Sequence, residues 1–140
     1  EPTRLRALVD GCRPGQLGSL QVVLSLGVGH DPAVIEAFEA RFGVRPLVGL
    51  ARSDLGPIVT VSAPGFRAAG FRQAGNRRDY VGHPLPGVGV KVVDPTTGAE
   101  VAPEVTGSIT LRGSHTAGDW LVTDLRGRVD GDGFLGLDEP

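Results

Sequence analysis

Four arginines, Arg67, Arg72, Arg77 and Arg78, form the densest basic stretch of this 140-residue chain. A guanidinium carries a planar fork of donors that fits phosphate or carboxylate. The stretch therefore reads either as a solvated loop or as a phosphate- or partner-binding patch. Asp130 and Asp132 alternate with Gly131 and Gly133, as carboxylates do in a calcium loop. The later Glu of an EF-hand loop is missing, so a hairpin turn is expected. His30, His83 and His115 fall in three different segments and are expected as turn or surface residues. No Ser-His-Asp arrangement can be argued from their spacing. The single cysteine, Cys12, excludes an internal disulfide and is expected as a plain reduced thiol. Lys91 is the only lysine and sits in a strand pattern. From residue types and spacing alone, no catalytic residue and no metal site is assigned.

The composition bounds what can position these groups. Apolar residues make up 40% and charged residues 21%, which is ordinary for a globular chain with one core or two small subdomains sharing one. The 22 glycines and 11 prolines fall between apolar runs, which implies many tight turns and short strands. A net charge of −2 gives no support to nucleic-acid binding. No apolar run approaches the ~20 residues of a membrane helix, and no secretory signal pattern is seen, so a cytoplasmic protein is expected.

The apolar spacing of residues 3–9 predicts a helix, broken by Asp10-Gly11 and Pro14-Gly15. Leu20–Leu24 is a nearly continuous apolar run and predicts a strand buried on both faces. Asp31 and Pro32 then start a helix whose apolar face is Val34, Ile35, Phe38 and Phe42, and Gly43 ends it. Val44–Val48 predicts the next strand, which makes a right-handed βαβ unit with parallel strands. Pro57–Ser62 is a third strand candidate. From Tyr80 the pattern alternates. Strands are expected around Val88–Val92, Ser108–Arg112, Trp120–Thr123, Gly127–Val129 and Phe134–Leu137, with a turn at Asp94–Gly98. The expected fold is α/β: a partial parallel βαβ layer over residues 1–62, an irregular loop over 63–79, and an antiparallel meander or partial barrel over 80–140.

Several segments, in order, resemble the AMP-forming adenylating enzymes: acyl-CoA synthetases, luciferases and nonribosomal peptide synthetase adenylation domains. Ser25–Phe42 resembles that family's Gly-Ala-Pro turn and the helix after it. Val48–Pro57 (VGLARSDLGP) resembles its Tyr-Gly-x-Thr-Glu segment. Val81–Asp94 (VGHPLPGVGVKVVD) resembles its Val-Gly-Arg-Pro-Leu-Pro-Gly stretch. Glu104–Gly113 and Trp120–Leu135 resemble the strand that follows and the Trp-x-x-Thr-Gly-Asp-Leu segment.

The resemblance implies joining a carboxylate to the α-phosphate of ATP, with Mg²⁺, and passing the acyl group to a thiol. It also implies which positions to inspect. Gly49, Leu50, Ser53, Asp54 and Asp124 are residual ATP-site positions. Leu50 stands where the family stacks Tyr on adenine, Ala51 where it has Gly, Ser53 at its Thr, and Asp54 at its Mg²⁺-linked Glu. The ribose carboxylate falls on Leu125 without gaps and on Asp124 after a one-residue slip. Gly27-Val28-Gly29 replaces Gly-Ala-Pro. The family's phosphate loop and the lid carrying its catalytic Lys have no counterpart between Glu1 and Pro140.

Two readings follow. The first is a truncated, degenerate adenylation-type domain, inactive and without cofactor, that serves a structural or protein-interaction role in a biosynthetic enzyme. The second is a fragment of an active acyl- or aminoacyl-activating ligase that uses ATP and Mg²⁺, with its phosphate loop and lid outside this chain. In either case the incomplete sheet is expected to be covered by a neighbouring domain, a partner protein or self-association.

Overall fold

A computed structural model describes residues 1–56, 58–69, 71–73 and 75–138. Its first half is a βαβ unit. Helix α1 (Pro2–Gly11) leads through a 3₁₀ turn at Pro14–Leu17 to strand β1 (Leu24–Leu26). Helix α2 (Pro32–Phe42) follows, and then β2 (Leu47–Gly49), which pairs with β1 in parallel, Ser25 opposite Val48. The α2 caps are the ones its sequence encodes. The Asp31 carboxylate accepts from the Ala33 N–H at 2.8 Å, satisfying one free donor of the first turn. Gly43 takes φ 73°, a left-handed stop that a Cβ would penalise. Val34, Ile35 and Phe38 are buried against Leu5 of α1 and Val48 of β2. Phe38 is wholly inaccessible, a burial that stabilises by about 1.5–3 kcal/mol.

The predicted first strand is displaced. It begins at Leu24, not Leu20, and its expected two-sided burial is absent: Leu20, Val22 and Leu24 are 36%, 63% and 43% exposed. The reason is the small size of the sheet. It has two strands, and its buried side chains pack towards α1 and α2, so among the described residues no second layer covers the other side.

Pro57, the first residue of the expected third strand, lies outside the described residues. The rest of that segment forms β3 (Thr60–Val61), which pairs antiparallel with β6 (His83–Pro84). β3 also lies against β2, where Ser62 N–H donates to Val48 O at 2.7 Å. The Thr60 hydroxyl accepts from Leu50 N–H and donates to Val81 O, tying the two halves together in a fully buried position. Between these strands, β4 (Phe66–Ala68) and β5 (Phe71–Gln73) pair antiparallel within the stretch expected to be irregular.

The second half is a curled four-stranded antiparallel sheet in the order β10-β9-β8-β7. β7 (Gly89–Val93) and β8 (Gly107–Arg112) face Val92 and Ile109 into the core. The Asp94–Gly98 turn between them forms as composition predicts, with the Asp94 carboxylate accepting from Thr96 and Thr97 N–H. A 3₁₀ turn at Ser114–Thr116 leads to β9 (Leu121–Val129), and β10 (Leu135–Leu137) closes the sheet. The two strands expected at 120–123 and 127–129 are thus one. Gly127 does not interrupt it, because Gly127 sits where the Gly136 carbonyl approaches too closely for a side chain. Leu50, Leu55, Val59, Val81, Ile109, Leu111 and Leu135 form the second core cluster, which joins the βαβ unit to the curled sheet.

Candidate functional site

The segment after β2 turns sharply. Leu55 N–H and Gly56 N–H both return to Arg52 O, at 2.9 and 3.1 Å, and Leu55 anchors the turn by burial. This leaves Arg52, Ser53 and Asp54 at its outer edge. On the facing strand, Ser108 pairs with Arg126 and Thr110 with Val122, so Thr123, Asp124 and Leu125 together oppose Ile109. Such a bulge re-aims a side chain. Thr123 Oγ1 holds it by donating to Ile109 O at 2.8 Å. Asp124 is thrown outward, while Leu125 packs on the core cluster. Asp124 reaches towards the 52–54 turn and Leu125 does not.

Arg52 sits where the two segments meet, and no motif pointed to it. Its Nε and Nη2 donate to the two Asp54 carboxylate oxygens, both at 2.7 Å. Its Nη2 also lies 2.6 Å from Asp124 Oδ1. Hydrogen bonding to Arg52 is the main reason that both carboxyls are held below the ordinary carboxylate range. The guanidinium is correspondingly harder to deprotonate, first through its bond to Asp54 and then through Asp124. Sequence reasoning paired Asp54 and Asp124 only through the family pattern. The signal that could have found Arg52 is its place two residues before Asp54, close enough for a bidentate fork.

Of the other three positions, Gly49 and Leu50 are fixed by packing. A Cβ on Gly49 would stand 2.5 Å from Thr60 O and 2.8 Å from Leu26 Cδ2, so glycine is required there by the approach of β3. Leu50 is 0% exposed, inside the core. Ser53 is exposed in the turn.

A separate cleft of about 660 Å³ opens between the βαβ unit and the curled sheet. Val28, Ile35 and Val48 wall one side, and Val81, Leu125 and Leu137 the other. It brings the 28–30 turn to residues 124–126 of β9, but its lining does not include Gly49, Leu50, Ser53 or Asp54. His30, expected at the surface, is half-buried at its rim. Its Nε2–H donates to Gly49 O at 3.2 Å, which leaves Nδ1 to accept from Ser25 Oγ at 3.5 Å. Desolvation lowers its pKa, opposed by the backbone bond to Gly49. His83 lies in β6 with Nε2 3.0 Å from Asp132 O, and His115 is exposed in the second 3₁₀ turn.

The remaining candidates resolve into structure. The Asp130 carboxylate is buried and accepts from Asp132 N–H and Phe134 N–H, both at 2.9 Å, closing the expected turn. Arg77 bridges Asp130 and Asp132, and Arg78 pairs with Glu36 at 3.2 Å. These two arginines are therefore engaged by carboxylates rather than held open for a phosphate. Among the described residues, no group of three or more His, Cys, Asp or Glu could hold a metal ion. No helix among them is long and apolar enough to cross a membrane.

Solved structures share this architecture. The anthranilate CoA ligase AuaEII, in complex with anthranoyl-AMP, superposes with a TM-score of 0.79 at 23% identity, over 97% of this chain and 28% of its own. An acyl-CoA synthetase from Brucella canis gives 0.76 at 23%, over 99% and 28%. An amide bond synthetase from Marinactinospora thermotolerans gives 0.76 at 24%, over 99% and 30%. Identities this low establish the fold alone, and the chain spans less than a third of each of these proteins. No curated protein matches. The family described as AMP-binding enzyme matches residues 2–120, which is most of the chain and includes both the βαβ unit and the start of the curled sheet, and the chain belongs to that family.

Proposed function

We propose that this chain is a non-adenylating AMP-binding domain that serves a structural or protein-interaction role in a cytoplasmic biosynthetic enzyme. The observation that carries this reading is the Arg52–Asp54–Asp124 triad. The two carboxylates at the family's metal-linked and ribose positions are both occupied by a cation from the chain itself. A nucleotide with Mg²⁺ would have to displace a bidentate, charge-assisted fork to use them. The residues fit ATP and Mg²⁺ poorly in a second respect. Leu50, at the position of the adenine-stacking aromatic, is inside the core and presents no face to a ligand.

The exposed Leu20, Val22 and Leu24 support the interaction role. An uncovered apolar sheet face is what a neighbouring domain, a partner protein or a second copy covers. The test of the inactive reading is ATP–pyrophosphate exchange with a panel of carboxylic acids. The expected result is background exchange with every acid. Exchange that is abolished in Asp54→Ala would overturn the reading.

One observation favours the alternative, an active acyl- or aminoacyl-activating ligase of which this is a part, using ATP and Mg²⁺. The cleft brings the 28–30 turn beside Asp124, two segments that the family uses for the nucleotide. In that case Gly49, Leu50, Ser53, Asp54 and Asp124 would be residual ATP contacts, and the phosphate loop and lid would come from elsewhere. The same exchange assay separates the two.

A further inference from the structure

We propose that the outer face of the four-stranded sheet around Trp120, flanked by Lys91 and Arg112, docks an acidic polypeptide segment that carries aromatic or aliphatic anchors. The face follows from strand alternation. Val90, Val92, Ile109 and Leu111 point into the core or pack against it, so Lys91, Thr110 and Arg112 point the other way. Val122 opposite Thr110 continues that face onto β9, and Trp120 extends it. Trp120 is 41% exposed and Val122 61%. Trp120 leans over Gly89, where an added Cβ would stand 3.1 Å from its ring, so the platform has a fixed seat.

Charge selects the occupant. The Lys91 ammonium lies 4.4 Å from the Trp120 ring centroid and the Arg112 guanidinium 5.6 Å. Neither has a carboxylate within ion-pair distance among the described residues. Arg45, Arg52 and Arg77, by contrast, are each held by acids of the chain. Asp119, next to Trp120, pairs with neither cation. An aromatic platform with two cations and no counter-charge is complementary to a segment that brings both carboxylates and an apolar anchor. This proposal does not depend on whether the family site binds nucleotide.

Trp120 is the only tryptophan, so its emission reports directly on the face. The experiment titrates the full chain with a heptapeptide that alternates Glu with Leu and Phe, and with versions in which every Glu is Gln or Lys. The acidic peptide is expected to shift Trp120 emission to the blue with Kd below about 1 mM. The Gln peptide is expected to bind about tenfold more weakly, and added salt to weaken the acidic one. In the K91E/R112E variant, preference should move to the Lys peptide. Should that variant fail to fold, K91Q and R112Q singly are each expected to weaken the acidic peptide several-fold. Equal binding of the Glu and Gln peptides would overturn the proposal, as would acidic binding unchanged by the Lys91 and Arg112 variants. So would a blue shift that grows with protein concentration alone and accompanies a dimer in sedimentation, since the face would then belong to a second copy.

Discussion

Arg52 decides how the two candidate carboxylates behave. Its fork to Asp54 and its contact with Asp124 hold both carboxyls low. In Arg52→Ala, the carboxyl resonances of both should titrate closer to an ordinary aspartate in an NMR pH series. Unchanged titration would contradict the triad. The unfolding midpoint should hardly move, because the carboxylates are largely exposed and screened by solvent. His30 carries the opposite kind of linkage. Burial lowers its folded pKa below the ordinary 6.5, so the unfolded chain takes up the proton first. Its contribution is complete above pH 6.5 and is lost progressively as pH falls from there through the folded pKa. A His30→Gln variant should flatten that limb of the stability–pH curve in chemical denaturation. An unchanged limb would show that another group is responsible.

At the scale of elements, the caps and turns were the most legible features. Asp31-Pro32 and Gly43 bound α2 as read, and Asp94–Gly98 turns as its composition requires, because these signals are local. Strand limits were less legible because they depend on partners. β1 starts at Leu24, where β2 lies opposite, although the apolar run begins at Leu20. β9 runs unbroken through Gly127 because β10 approaches there. The bulge at 123–125 has no sequence signature, yet it separates Asp124 from Leu125 and aims Asp124 at Arg52. Among the turns, Asp130 is a buried carboxylate with both backbone and Arg77 partners. Asp130→Ala leaves the buried Phe134 N–H without its acceptor and Arg77 without one partner. A loss of about 2–3 kcal/mol is expected in denaturant unfolding. Desolvation opposes ionisation of Asp130, but its backbone hydrogen bonds and Arg77 together win and hold its pKa below the ordinary value. Its contribution is therefore present above the ordinary aspartate range and lost as pH falls through the lower folded value.

At the scale of the whole molecule, the second core and a buried hydroxyl link hold the halves together. Leu50 and Val81 join the second core, and Thr60 bridges the backbones of those same two residues. Gly49 and Leu50 are among the positions that pack, one by the close approach of β3 and the other by full burial. The uncovered β1 face should make the isolated chain associate, and Val22→Glu should reduce that association in sedimentation velocity without lowering the unfolding midpoint. A wild-type chain that stays monomeric at high concentration would remove the argument for a covered face. The proposed inactivity rests on the chain's own Arg52 occupying the carboxylates at the family's nucleotide positions, Asp54 and Asp124. Calorimetric titration of wild type and Asp54→Ala with MgATP tests it most directly. The account predicts no saturable heat from either protein up to about millimolar nucleotide. Saturable binding by the wild type that disappears in Asp54→Ala would contradict it.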